Sequence, residues 1–123
     1  MKLQIEGQHL RVRINEDELA TLLAGHMLEA CTQFAEAFAF SCLVCLVPAD
    51  DAGFAGEPAR WRVSLPASAI REHAARLPAR EGLRFVLPGS AGMQALELLF
   101  DVDVRDSARR RKQPGRPGHG SPT

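Results

Sequence analysis

Apolar residues follow one another without polar alternation over Phe38–Val47, in the middle of the chain. Ser41 is the only polar residue in this run, which is rich in Phe, Leu and Val and is followed by Pro48. A continuous apolar run of this length is typical of a strand covered on both faces. We therefore expect this strand to be central, with the rest of the chain arranged around it.

Strict alternation of apolar and polar residues predicts strands near the start of the chain. Leu3 and Ile5 alternate with polar residues in the first run, and Arg11 and Arg13 share the polar face of the second. Gly7 lies in the two-residue link between them, which is typical of a β-hairpin. Similar patterns extend the set of predicted strands to 2–6, 9–14, 26–33, 38–47, 59–65, 83–87 and 95–104. We expect 50–58, with its acids, glycines and proline, to form a loop.

Two short helices are predicted between these strands. Asn15 can cap the first helix, Glu18 lies at the capping-box position, and Gly25 is placed to end it. The second helix is expected over 67–77, after Pro66.

These elements predict an α+β fold with one mostly antiparallel sheet of about seven strands, two short helices and a strand order that the pattern does not fix. A strand–helix–strand–strand order occurs twice, over 9–47 and 59–104. We expect a single domain over 1–106. Residues 107–123 are rich in Pro, Gly and Arg and lack the apolar residues of a core, which predicts a disordered basic tail.

The net charge of zero conceals an asymmetry between these two parts. All 15 acidic residues and 10 of the 15 basic residues lie in 1–106, so that part carries −5 and the tail carries +5. Nucleic acid could bind weakly to the basic run of the tail, which consists of Arg109, Arg110, Arg111 and Lys112. The tail has no aromatic residue for base stacking. The alternatives are an inert appendage and a tail that folds back on the acidic body.

Composition also indicates the compartment. The start of the chain alternates polar residues where a signal peptide needs an apolar core, and Phe38–Val47 is shorter than the ~20 residues of a membrane span. Three cysteines, an odd number, are typical of reduced thiols. We therefore expect a cytoplasmic protein with no membrane contact.

Several segments resemble a small bacterial family of unknown function, whose members open with Met-Lys, a hydrophobic residue and a Gly before an Arg-x-Arg strand. The resemblance rests on residues 1–14, 18–25, 61–66 and 96–103 and covers most of 1–104. Relatives commonly continue with Asp-Phe and a Cys, where this chain has Asp103, Val104 and Arg105. The resemblance implies a stand-alone cytoplasmic domain and brings no known activity.

Most candidate chemistry has a structural explanation. Cys42 and Cys45 lie three apart in a predicted strand, so their sulfurs should face opposite sides of the sheet and form neither a redox pair nor a metal site. The four histidines have no metal-ligand spacing, and Ser90 lies in a turn that does not match a nucleophile motif. We therefore predict no catalytic residue, metal or cofactor.

The arginines of two strands are the remaining candidate site. Arg11 with Arg13, and Arg60 with Arg62, have the i, i+2 spacing that places both side chains on one face of a strand. If both strands share a sheet face, the four arginines could bind a carboxylate or phosphate; otherwise they are solvated and paired with acids such as Glu97 and Asp101.

Taken together, these features favour a non-enzymatic domain that binds a protein partner or a second copy of itself through a sheet face or an exposed edge. The alternatives are a protein or enzyme that binds a small anion through the arginines, and a weak nucleic-acid binder through the tail.

Overall fold

The computed structural model describes residues 1–104, which form eight strands and two helices. The predicted disordered tail over 107–123 lies outside the described residues. In chain order the elements are β1 Lys2–Glu6, β2 His9–Asn15, α1 Glu16–Leu23, β3 Leu28–Phe34, β4 Phe38–Val47, β5 Gly53–Glu57, β6 Arg60–Pro66, α2 Ala67–Ala75, β7 Leu83–Leu87 and β8 Leu96–Asp103.

The strands form two four-stranded sheets. The first sheet has the order β1-β2-β8-β7 and the second has the order β3-β4-β6-β5. Hairpins form both ends of each sheet, and the two central strands, β2 with β8 and β4 with β6, pair in parallel. The α+β class with two helices is confirmed, whereas the prediction of one mostly antiparallel sheet of seven strands is wrong.

The two halves of the chain have the same order of elements, strand–strand–helix–strand–strand. Each half contributes one hairpin to each sheet, so a sheet always combines β1-β2 with β7-β8 or β3-β4 with β5-β6. The repeated unit predicted from the sequence is therefore present and is one strand longer. The additional strand, β5, lies in the segment 50–58 that was predicted to be a loop. Only Phe54 is a large apolar residue in β5, and Gly53 and Gly56 are unfavourable in strands, so its pattern is weak.

The capping interactions at the start of α1 form as predicted. The Asn15 side chain accepts a hydrogen bond from the Glu18 amide at 2.8 Å, and the Glu18 carboxylate accepts one from the Asn15 amide at 3.0 Å. Glu18 also binds the amino terminus of Met1 at 2.6 Å. Burial raises the pKa of Glu18 and is the largest single cause, but the hydrogen bond from the ammonium group, the hydrogen bond from the Asn15 amide and the ammonium charge together outweigh it, so the net pKa is lowered. Gly25 follows the helix with a φ of 94°, a conformation that glycine adopts without strain.

One hydrophobic core joins both sheets and both helices. Its members are fully or almost fully buried apolar residues: Leu10, Val12, Ile14, Leu19, Leu22, Leu28, Cys42, Val44, Val63, Leu65, Ile70, Leu98 and Phe100. Helix α1 contacts β2 and β8 of the first sheet as well as β3 and β4 of the second, and it also contacts α2. The helices therefore connect the apolar faces of the two sheets.

Strand β4 is central in the second sheet, but the prediction that it is covered on both faces is wrong. Cys42 and Val44 are completely buried on the inner face. Leu43 and Cys45, on the outer face, are half-buried, and Phe38 at the start of the strand is 57% exposed. The apolar run is therefore longer than the core that covers it.

The capping box of α1 should contribute measurably to stability. Asn15→Ala removes the side-chain acceptor of the Glu18 amide, and we expect the free energy of unfolding to fall by about 1 kcal/mol. Urea denaturation at neutral pH measures this loss. Ala20→Ser, an exposed change in the middle of the same helix, is the control, and an equal loss in both variants would contradict a specific capping effect.

His73 of α2 should make stability depend on pH. It is 3% exposed and packs against Phe100, with ring centroids 6.4 Å apart. Burial lowers its pKa, Arg76 adds to this effect, and Asp101 opposes it. Because the unfolded chain then binds the proton more readily, stability should fall as the pH drops below about 6.5.

Denaturation at pH 7.5 and pH 5.5 tests this dependence. His73→Leu, which introduces the residue type that α1 has at the corresponding buried position Leu22, should lose less stability between the two pH values than the original chain. His26→Asn, at an exposed position, should retain the full loss. An unchanged loss in His73→Leu would show that other groups cause the pH dependence.

Candidate functional site

The four candidate arginines do not share a sheet face. Arg11 and Arg13 lie on β2 in the first sheet, whereas Arg60 and Arg62 lie on β6 in the second. Each pair does point away from the core, because residues that alternate with the arginines, Val12 on β2 and Val63 on β6, are completely buried. The structure therefore contains two separate arginine pairs, and their roles in binding stay predictions.

Acidic residues of β8 pair with basic residues on the outer face of the first sheet. Arg11 forms an ion pair with Asp101 at 3.2 Å. Glu97 lies between two basic residues, with one oxygen 2.6 Å from His9 Nδ1 and the other 3.2 Å from Arg84 Nε. These are the acids that the sequence offered as partners for a solvated face. A shallow pocket of about 220 Å³ beside them is lined by Gln4, Glu6, His9, Arg11 and Leu99.

The outer face of the second sheet carries a larger shallow pocket, of about 290 Å³. Arg60 and Arg62 line it, and among residues 1–104 neither arginine has an ion pair. The lining also includes Glu29 of β3, Ser41 and Leu43 of β4 and Glu57 of β5. Glu29, Ser41 and Glu57 could not be selected from the sequence, because their approach to the arginines depends on the strand order.

An aromatic surface covers part of the inner face of the second sheet, beyond the core. We use this name for Phe34, Phe38, Phe40, Phe54 and Trp61. The rings of Phe34 and Phe38, which face each other across the β3–β4 hairpin, are 5.3 Å apart. The ring centroid of Trp61 lies 4.7 Å from that of Phe40 and 5.3 Å from that of Phe54, in edge-to-face arrangements. Trp61 packs against the core and also connects the core to this exposed surface.

The aromatic surface does not follow from the sequence pattern, because Phe38 and Phe40 belong to the apolar run that predicts a covered strand. A usable signal was present in the chain. Phe34 and Phe38 enclose a short turn, and a hairpin tip with a large apolar residue on each side projects away from the elements that could cover it. Three side chains of the aromatic surface are exposed as a result, with exposed fractions of 48% for Phe34, 57% for Phe38 and 38% for Phe54.

No protein-family model matches the chain, and no curated protein matches its sequence. The resemblance to a small bacterial family therefore stays a prediction. Over the residues that the structure describes, no group of three or more His, Cys, Asp and Glu side chains is arranged to hold a metal ion. No helix within this part of the chain is long and apolar enough to cross a membrane.

The three thiols have different environments. Cys42 is buried in the core and Cys45 is half-buried on the opposite face, so the two sulfurs diverge as predicted. Burial raises the pKa of Cys42 to about 11. Cys31 is exposed, and a hydrogen bond to Glu29 is the main cause that raises its pKa. Because the thiolate is the nucleophile, both effects slow alkylation, and burial also blocks access to Cys42.

Alkylation with iodoacetamide at pH 8, mapped by peptide mass spectrometry, should follow this order. Cys31 should react first, and Cys42 only when the chain is unfolded in urea. Glu29→Gln should accelerate the reaction of Cys31 because it removes the carboxylate that raises the thiol pKa. Glu57→Gln, on the far edge strand, should leave that rate unchanged. Rapid labelling of Cys42 in the folded chain would contradict the burial described here.

Proposed function

We propose that this chain is a non-enzymatic interaction domain that binds a protein partner through the aromatic surface. One observation carries the proposal. The apolar inner face of the second sheet continues past the core, and three of the five aromatic side chains on that continuation are more than a third exposed. Contiguous exposed apolar surface of this kind marks interaction sites in soluble proteins.

The composition of the surface also supports protein binding. Aromatic residues are enriched at the centres of protein interfaces, where they bury a large area with little loss of side-chain entropy. The edge-to-face contacts of Trp61 with Phe40 and Phe54 orient these rings before a partner arrives. A partner would therefore bind a surface that is already ordered, which reduces the entropic cost of association.

Charge indicates which partner fits. Glu36 lies in the turn between Phe34 and Phe38, and Asp50 and Asp51 precede β5. The described residues contain 14 acidic and 9 basic residues, so this part of the chain carries −5. A segment that presents apolar side chains beside lysine or arginine complements both the aromatic surface and its acidic surroundings.

Strand β3 provides a way to hold such a segment. It is an edge strand of the second sheet, with exposed residues over most of its length. Edge strands can pair with an added strand from a partner. An extended segment that pairs with β3 would lie beside Phe34, so main-chain hydrogen bonds and aromatic contacts would act together.

Synthetic peptides test the proposal, and Trp61, the only tryptophan, is the reporter. We expect a peptide that alternates lysine with leucine to shift the emission of Trp61 saturably. Peptides of equal length that alternate glutamate with leucine, or lysine with serine, should bind at least about 10-fold more weakly. Burial of one exposed Phe contributes about 1.5–3 kcal/mol, which corresponds to a factor of 10 or more in affinity.

The double variant Phe34→Ser, Phe38→Ser should lose this binding and keep its fold, because both side chains lie outside the core. Ile5→Ser is the matched control, since Ile5 is 62% exposed on the first sheet. Equal loss in both variants, or binding of the glutamate–leucine peptide, would contradict the proposal. Sedimentation of the full chain separates another outcome, since a dimer that the double variant abolishes would identify a second copy as the partner.

A further inference from the structure

Corresponding positions of the two sheets can be compared directly, because both sheets have the same arrangement of strands. β2 and β6 each lead into a helix and pair in parallel with the central strand of the other half. His9 begins β2 and Arg60 begins β6, and Arg11 and Arg62 follow two residues later. Leu99 lies opposite Arg11, and Leu43 lies opposite Arg62. The outer faces therefore have equivalent basic residues at equivalent places.

The central strands differ at the positions that determine charge. On the first sheet, Glu97 lies opposite His9 and Asp101 binds Arg11. The equivalent positions of β4 are Ser41, opposite Arg60, and Cys45. Uncharged residues therefore replace both carboxylates, and the arginines of β6 are left without an ion pair among residues 1–104.

Carboxylates are present at the sides of this pocket instead. Glu29 lies on β3, two strands from β6, which places its backbone roughly 10 Å from that of the arginines. Glu57 lies opposite Arg60 on the other side. Ser41 and Leu43 form the floor between Glu29 and the arginines. The pocket is thus a groove with two guanidinium groups on one wall and a carboxylate on the other.

We propose that this groove binds a small zwitterionic molecule of the short-peptide class, with its carboxylate on Arg60 and Arg62 and its ammonium group on Glu29. Two arginines and two glutamates give the groove no net charge, which disfavours a simple anion and suits a ligand with separated charges of both signs. An extended chain spans about 3.3–3.6 Å per residue, so a tripeptide matches the distance between the walls. Trp61 also lines this groove, but the phenylalanines of the aromatic surface do not, so the proposal does not rest on binding at that surface.

Titration of the ¹⁵N-labelled full chain with triglycine, followed by amide chemical shifts, tests the proposal. We expect saturable shifts at Glu29, Ser41 and Arg62, with a Kd on the order of 1 mM, as suits an exposed groove. Triglycine amide, which lacks the carboxylate, and N-acetyl-triglycine, which lacks the ammonium group, should each bind at least about 10-fold more weakly. Inorganic phosphate should not saturate the groove over the same range.

Variants distinguish binding of triglycine in the groove from a general effect of surface charge on binding. Arg62→Gln and Glu29→Gln should each weaken triglycine binding about 10-fold or more. Arg11→Gln, the equivalent change on the first sheet, should leave the Kd unchanged. Absence of saturable shifts, phosphate binding that matches triglycine, or a blocked peptide that binds as tightly as triglycine would overturn the proposal. The exposed positions of Arg62 and Glu29 keep the core intact, and the dispersion of the amide spectrum verifies this.

Discussion

Parallel pairing between one strand from each half of the chain is the interaction on which both sheets depend. β2 pairs with β8 and β4 pairs with β6, so each sheet joins two hairpins that are distant in sequence. A hairpin alone is marginally stable in water, and three or more strands with a shared apolar face are needed for stability. Neither half of the chain can therefore complete a sheet without the other half.

The two sheets have the same arrangement of strands but differ in the chemistry of their side chains. The first sheet has carboxylates on its central strand β8, where Glu97 contacts His9 and Arg84 and Asp101 pairs with Arg11. The second sheet has uncharged residues at those positions, and its inner face extends beyond the core as the aromatic surface. Both candidate surfaces thus lie on the second sheet, on opposite faces, and the core joins this sheet to the first sheet and the helices.

Local signals in the sequence were sufficient for much of the fold. The capping box of Asn15 and Glu18, the hairpin β1-β2 and the pairing of β7 with β8 follow from residues close in sequence. Strand order does not, because parallel neighbours such as β2 and β8 are joined only by long-range contacts. This is why Arg11 and Arg60 could not be assigned to different sheets from their spacing alone.

The candidate surfaces were less predictable for a related physical reason. Phe38 and Val44 belong to one apolar run, and composition cannot show that the core covers Val44 completely and leaves Phe38 exposed. Glu29 and Arg62 line one groove only because β3 and β6 both flank β4 in the strand order β3-β4-β6. Divergence of Cys42 and Cys45 was predictable because it depends only on the two-residue period of a strand.

Hydrogen–deuterium exchange of the full chain, with and without the lysine–leucine peptide, tests the central claim most directly, because it locates the bound surface without any substitution. If the second sheet is the interaction surface, peptide binding should slow exchange in β3 and the first half of β4, where an added strand would pair and the aromatic surface lies. Exchange in β1 and β2 should be unchanged. Protection confined to the first sheet, or none at saturating peptide, would contradict the account.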